Sequence, residues 1–378
     1  MDLLSDIHRG LILVEPYGTY IRKHQKSVIV KSRKVKSIVD ENLLLIENKQ
    51  GLGIIRLGEP EKISLNKFSK MRSKHHITED DRVKWWPKYR SLYSYPIIKS
   101  KFFKIPILLD YPTGPQITVL PNNITFKQIF IGMSGYYYRQ MYPKSVKNIL
   151  DYYGQYLNSV EINSTFYHYP PKSSVVNLQK YDLTYVIKVN QKITHHKKLV
   201  GVKTLWDQFY HSLELIHDKI MCFLFQFNKN FHFTPETYKS IKNLAPILKK
   251  KKHRYAFEFR HASWFNNDKI NKLFSKNNWM LVIVDVSNKT GWAGDLDDGF
   301  NPPLENYQVT SDSVYLRMHG TVDQYIGSYH KKDYRNIFNF IDEKQIVNAF
   351  VYFNNTDRGT DAFDNAIELS NHFNAVNL

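Results

Sequence analysis

Glu161-Ile162-Asn163-Ser164-Thr165-Phe166-Tyr167 closes an apolar, strand-like run that begins near Ser159. Four further polar strings close similar runs downstream: Lys188 with Thr194-His195, Glu258-Phe259-Arg260-His261, Arg317-Met318-His319-Gly320, and Phe353-Asn354-Asn355. Charges and amides repeated at one end of successive strands make a poor core, because burying them unpaired is costly. They make a good site. In a parallel α/β barrel that end is the one where chemistry sits.

Working outward, strands are expected to begin near Gln128, Ser159, Leu183, Met221, Tyr255, Met280, Ser313 and Ala349. Amphipathic stretches lie between them at 145–157, 204–217, 235–249 and 268–277, and 361–373 closes the chain. Strand and helix alternating eight times over about 250 residues is the pattern of a (β/α)8 barrel. The loop-like stretch 291–310, between the sixth and seventh strands, is the weakest part of that pattern. Upstream, Leu11–Val14, Ser27–Val30, Leu43–Ile46 and Gly53–Leu57 read as strands punctuated by Pro16, Gly18, Gly51, Gly58 and Pro60. Short helices are expected at 65–71 and 79–84. The expected fold class is therefore α/β: a TIM-type barrel over 126–378, preceded by a small mainly-β domain over 1–95 and a linker over 96–125.

The composition bounds the partners. The chain has 378 residues, 42% of them hydrophobic and 15% aromatic, which excludes global disorder. Its one cysteine, Cys222, lies in an apolar run, so no intramolecular disulfide forms and a reducing cytoplasm is the natural compartment. The N-terminus does not read as a signal peptide, and no apolar run is long enough to span a membrane. The net charge is +18; residues 1–120 hold 22 Lys/Arg against 12 Asp/Glu, a surplus of ten. Nucleic acid, RNA or DNA, is the expected partner for such a charge, with anionic membrane the rival. No membrane partner is expected here, and no protein partner can be inferred. The abundance of Lys, Asn, Ile and Tyr offers a compositional explanation of the same surplus.

Residues two apart on a strand share a face. Glu161 with Asn163, Lys188 with Asn190, Glu258 with Arg260, and Arg317 with His319 are four such pairs. Facing a helix layer they would be expensive; facing the barrel mouth they are reached by solvent and substrate. Glu161 or Glu258 is then the general base, and His261 or His319 the general acid. Ser134, Asn163, Lys188, His195, Arg260, Arg317, Asn354 and Asn355 would bind substrate. The structural alternative is that Glu258 merely neutralises Arg260 or Arg317. Glu161, Glu258, His261, Asp285 and His319 include enough ligand types for a divalent metal, although a mouth with several cations repels one. No organic cofactor is indicated. Lys31, Arg33, Lys84, Trp85, Trp86 and Lys88 are the candidate nucleic-acid contacts of the small domain, the tryptophans stacking on bases beside lysines at phosphates. Packing of those tryptophans in a hydrophobic seam is the alternative.

Six motifs in order carry a family resemblance: Gly132-Met133-Ser134-Gly135-Tyr136, Glu161–Tyr167, Lys188 with Ile193-Thr194-His195, Glu258–Trp264, Arg317–Gly320 and Tyr352–Asn355. From about residue 128 onward the chain resembles the YecE-like family, domain of unknown function 72. The resemblance implies a TIM-type barrel and no established reaction, with a broad likeness to metal-dependent apurinic endonucleases. The segment 333–347 departs from the family in lacking a full helix before the last strand. Gly18–Ile21, Lys31-Ser32-Arg33 and Gly53–Gly58 more distantly resemble the PUA/ASCH-like group of small β-barrels, which implies binding of RNA or a modified nucleotide. Together these readings point to an enzyme acting on nucleic acid or a nucleotide-derived substrate, with phosphodiester or glycosidic hydrolysis the expected chemistry. The alternatives are a non-catalytic reader of modified nucleic acid, and a sugar-phosphate or small-acid enzyme with a regulatory N-terminal domain.

Overall fold

The computed structural model describes residues 7–109, 117–119, 128–249, 251, 253–285, 304, 307–323, 325–357 and 361–375. The chain divides into two compact units, Met1–Lys127 with Asn374–Leu378, and Gln128–Phe373. Among the described residues no helix is long and apolar enough to cross a membrane.

The first unit is built on seven strands: β1 (Arg9–Leu13), β2 (Val28–Lys31), β3 (Asn42–Glu47), β4 (Gln50–Leu57), β5 (Glu61–Ser64), β6 (Ser91–Leu108) and β7 (Ile117–Val119). Their order is β2-β6-β4-β3-β1-β7, with β5 also on β6. Ile29 of β2 and Ile117 of β7 stand at opposite ends of that order yet pack in one cluster with Leu11, Leu43, Leu45 and Ile55. The sheet therefore curls round this cluster. The expected linker is in part strand: β6 runs through residue 108 and β7 pairs with β1. Pro96 does not break β6, because it lies where the strand exchanges β2 for β4, with Val28 opposite Pro96 and Leu57 opposite Ile97. A missing N–H is tolerated at such a switch.

The second unit holds eight parallel strands: β8 (Gln128–Met133), β9 (Ser159–Ile162), β10 (Thr184–Lys188), β11 (Ile220–Gln226), β12 (Arg254–Glu258), β13 (Met280–Asp285), β14 (Ser313–Met318) and β15 (Asn348–Phe353). They run β8-β15-β14-β13-β12-β11-β10-β9. Phe130, Val186, Leu224, Ala256, Val282, Tyr315, Phe350 and Tyr352, from seven strands, pack together as the barrel interior.

The barrel closes between β8 and β9 largely through side chains. Asn158 accepts from Ile131 N at 2.9 Å and donates to Ile129 O at 2.8 Å. The Tyr153 hydroxyl accepts from Met133 N at 2.8 Å and donates to Ser159 O at 2.7 Å. Only at the C-terminal end does backbone join backbone, where Gly135 N donates to Glu161 O at 2.9 Å. Gly132 permits the approach: a Cβ there would stand 1.9 Å from Ser159 O.

The outer helices include Pro235–Leu248, Asp268–Asn277 and Asp361–Ala375. Two expectations need correction. Residues 145–157 yield only the helix Ile149–Tyr153, started by the Asn148 cap and ended at Gly154. The segment before β15 is a full helix, Lys331–Glu343, burying Tyr334, Ile337, Phe340 and Ile341 on one face, with Asp333 accepting from His330 N at 2.9 Å. Most of 291–310 lies outside the described residues.

Candidate functional site

The strand alternation that buries Val186, Leu224, Ala256 and Tyr315 continues upward to Lys188, Gln226, Glu258 and Arg317. Arg317 is the hub. Its Nη1 donates to Glu258 Oε2 at 2.7 Å, and its Nη2 to Glu161 Oε1 and Ser134 Oγ, each at 2.7 Å. Ser134 Oγ also donates to Glu161 Oε1 and accepts from Asn163 Nδ2 at 2.9 Å. Tyr315 donates to Glu161 Oε2 at 2.5 Å, and Arg260 Nε to Glu258 Oε1 at 2.9 Å. Polar residues carried by β8, β9, β12 and β14 thus meet at one end of the barrel.

Glu161, Glu258 and His319 are fully buried and Arg317 is 2% exposed. An ion network so deep is held by mutual compensation rather than by water. Burial opposes ionisation of Glu258, but Arg317, Arg260 and Lys188 outweigh it and hold the carboxyl well below the usual carboxylate range. Burial likewise opposes the charge on Arg317, and Glu161 and Glu258 more than restore it. Burial, with Arg317 beside it, keeps His319 neutral far below its ordinary range. With Arg317 O accepting at 3.2 Å, His319 carries its proton on Nδ1. Lys188 is half-buried with its Nζ 4.6 Å from the Phe166 ring centre; burial and then Arg317 push its amine down to about 8.

These geometries change several expected roles. All four carboxylate oxygens of Glu161 and Glu258 accept hydrogen bonds, and Glu258 is held ionised by two guanidinium groups, which is poor chemistry for a general base. A His319 held neutral by burial and Arg317 is not the protonated general acid that was expected. Ser134 N and Gly135 N donate to Phe353 O and Glu161 O and so are committed to barrel closure, not to an anion. Asn355 is buried, donating to Gly327 O and Asn365 Oδ1 at 2.9 Å each. Asn190, expected to face the mouth beside Lys188, donates to Thr165 O at 2.9 Å and holds a turn.

The other candidates line the rim or stand apart. Asn354 is half-buried, its N–H bonded to Met318 O at 2.7 Å. His195 meets the Phe166 ring at 5.0 Å and Thr194 Oγ1 at 2.9 Å. His261 bonds Ser263 Oγ at 2.8 Å and stacks on His232 at 3.9 Å. Burial pushes Asp285 up to about 6. Among the described residues, no group of three or more His, Cys, Asp or Glu side chains could hold a metal, and the Arg317 guanidinium bridges Glu161 and Glu258. In the first unit, Lys31 and Trp86 are buried rather than presented to a ligand. Trp86 packs with Val30, Ile63, Phe68 and Leu92, and Trp85 is half-buried 5.5 Å from Tyr17. Arg33, Lys84 and Lys88 remain exposed.

Three buried polar atoms of the network have no partner among the described residues: Asn163 Oδ1, Gln226 Oε1 and Arg317 Nε. Such orphans are rare and costly in a folded chain, and several in one place suit a ligand or bound water. Gln226 and Tyr315 were not anticipated. Gln226 ends its apolar run as Glu258 does, and Tyr315 shares a face with Arg317 two residues on, so strand alternation alone would have found both. A cavity of about 270 Å³ lies on the other side of the wall, lined by Ile162, Ile187, Ser164, Ser173, Ser174 and Asn177, away from the carboxylates.

The family model for proteins of unknown function DUF72 matches residues 130–377. The chain belongs to the DUF72 family. A DUF72 protein from Thermotoga maritima is 23% identical, with 65% of this chain and 98% of that chain covered and a TM-score of 0.54. One from Enterococcus faecalis is 21% identical, covering 65% and 96%, with a TM-score of 0.55. The barrel fold is therefore shared across the family. ASCH from Zymomonas mobilis is similar over 31% of this chain and 88% of its own, at 12% identity and a TM-score of 0.27. No curated protein matches the chain.

Proposed function

We propose that the barrel is an enzyme acting on a phosphate-bearing, nucleotide-derived substrate at its C-terminal mouth, hydrolysing a phosphodiester or glycosidic bond. One observation carries this reading. Among the described residues Arg260, Arg317 and Lys188 converge on the carboxylates Glu161 and Glu258, and three orphaned polar atoms lie among them. Three cationic groups beside unfilled hydrogen bonds suit an anion that brings its own acceptors and donors. The turn after Lys188 adds exposed Lys192, Lys197 and Lys198, which suits a polyanion approaching from solvent. In this reading Arg260 holds the phosphate, Lys188 meets the substrate beside it, and Asn163 and Gln226 orient it. The +18 charge supports nucleic acid over a free metabolite.

A second reading follows from the fully bonded carboxylates: a site without a free base binds and does not cleave. One experiment separates the two. End-labelled RNA and DNA oligonucleotides and nucleoside monophosphates are incubated with the full chain, with and without Mg²⁺ or Mn²⁺, beside Lys188→Met. Cleavage by the wild type that the variant cannot perform supports the enzyme. Binding without product supports the reader. Absence of both rules out the phosphate-bearing substrate. Removing one charge-assisted hydrogen bond in Lys188→Met is expected to weaken binding about tenfold or more.

A further inference from the structure

Lys188 stands out among the mouth residues. Its neighbours are engaged on every side: Glu161 of β9 with Arg317, Ser134 and Tyr315, and Glu258 of β12 with Arg260 and Arg317. Lys188 itself makes no hydrogen bond or ion pair through its side chain among the described residues; its Nζ lies against the Phe166 ring. Its backbone is pinned, with the Thr165 hydroxyl donating to Lys188 O at 2.7 Å. A fixed primary amine, half-buried beside guanidinium groups whose counter-charges are already taken, is the arrangement that activates a lysine as a nucleophile.

We propose that Lys188 forms an imine with a carbonyl-bearing substrate, the open-chain aldehyde of a phosphorylated pentose. The substrate class rests on the reading above, since a sugar phosphate released from a nucleotide carries this aldehyde in its open form. The amine lone pair adds to the carbonyl carbon, and the C=O pair moves to oxygen, which takes up a proton. The carbinolamine then loses its hydroxyl as water with a second proton, as nitrogen forms C=N, having given up both of its own protons across the two steps. No oxidant or reductant is consumed. Arg317 Nε, an orphaned donor on the same floor, suits the carbinolamine oxygen. With the amine at about 8, about a tenth of it is uncharged at pH 7, hundreds of times more than for an ordinary lysine.

The test is reductive trapping. The full chain is incubated at pH 7 with 2-deoxyribose 5-phosphate and sodium cyanoborohydride, and adducts are mapped by peptide mass spectrometry. Lys188 is expected to be modified at least tenfold faster than exposed Lys192 or Lys203. Lys188→Arg is expected to abolish that adduct, and binding of inorganic phosphate to the wild-type chain is measured beside it in a calorimeter. Modification of Lys188 no faster than of the exposed lysines overturns the imine, and phosphate binding measured alongside shows that the anion reading survives it. Equal trapping of unphosphorylated 2-deoxyribose, with no phosphate binding, supports the imine and removes the phosphate.

Discussion

Glu258 decides between a catalytic and a structural role for the mouth carboxylates. It is fully buried and bonded to both Arg260 and Arg317. Replacing it with Gln leaves two buried guanidinium groups short of charge, a loss of about 3–5 kcal/mol when one partner of a buried pair is removed. The thermal midpoint of Glu258→Gln is therefore expected to fall by roughly 10 °C; a midpoint within a degree or two of wild type would mean that the pair is not structural. The pH dependence has a fixed sign. The folded-state carboxyl is held below its unfolded value, so its contribution is complete above about pH 4.3 and is lost as pH falls toward the folded value. Wild type should lose stability below pH 4 more steeply than Glu258→Gln in a pH series of melts. The sequence placed Glu161, Glu258, Arg260 and Arg317 together by strand alternation. It did not reveal that they would satisfy one another, because pairing distances depend on how far the barrel closes.

The β8–β9 seam is the element on which that closure depends. Tyr153 replaces ladder bonds by joining Met133 N to Ser159 O, and both groups are buried away from water. Tyr153→Phe leaves a buried donor and acceptor unmet, which costs about 1–3 kcal/mol. The midpoint should drop accordingly, with faster amide exchange confined to β8 and β9. Exchange raised evenly round the barrel would show that the seam is no separate weak point. The strands themselves were legible from the sequence: starts expected at Gln128, Ser159, Met280 and Ser313 coincide with those observed, and the other four differ by one residue. Parallel strands buried on both faces read as apolar runs with sharp polar ends. The seam was not legible, because Asn158 and Tyr153 look like ordinary loop and helix residues. Nor was β6, whose partner changes at Pro96 through contacts distant in sequence. Trp86 and Lys31 were misjudged for a related reason: aromatic and long side chains serve a core as readily as a ligand, and only packing tells them apart.

Over the whole chain, ten of the eighteen surplus charges fall in residues 1–120. With Lys31 and Trp86 buried, Arg33, Lys84 and Lys88 are the exposed remainder of the expected nucleic-acid contacts. Replacing all three with Gln in the full chain should weaken oligonucleotide binding about evenly across sequences. The slope of log affinity against log salt should fall by about 0.7–0.9 for each phosphate no longer neutralised. Fluorescence anisotropy over a salt series reads this, and an unchanged slope would move the binding surface elsewhere. The barrel mouth is tested independently by the titration of Lys188, whose amine should report both the cations around it and any phosphate beside it. With ¹⁵Nζ-labelled lysine, assigned by comparison with Lys188→Arg, the Lys188 signal should titrate near pH 8 and move to higher pH when inorganic phosphate is added. A midpoint near the ordinary lysine value of about 10.4, indifferent to phosphate, would contradict an anion-binding mouth.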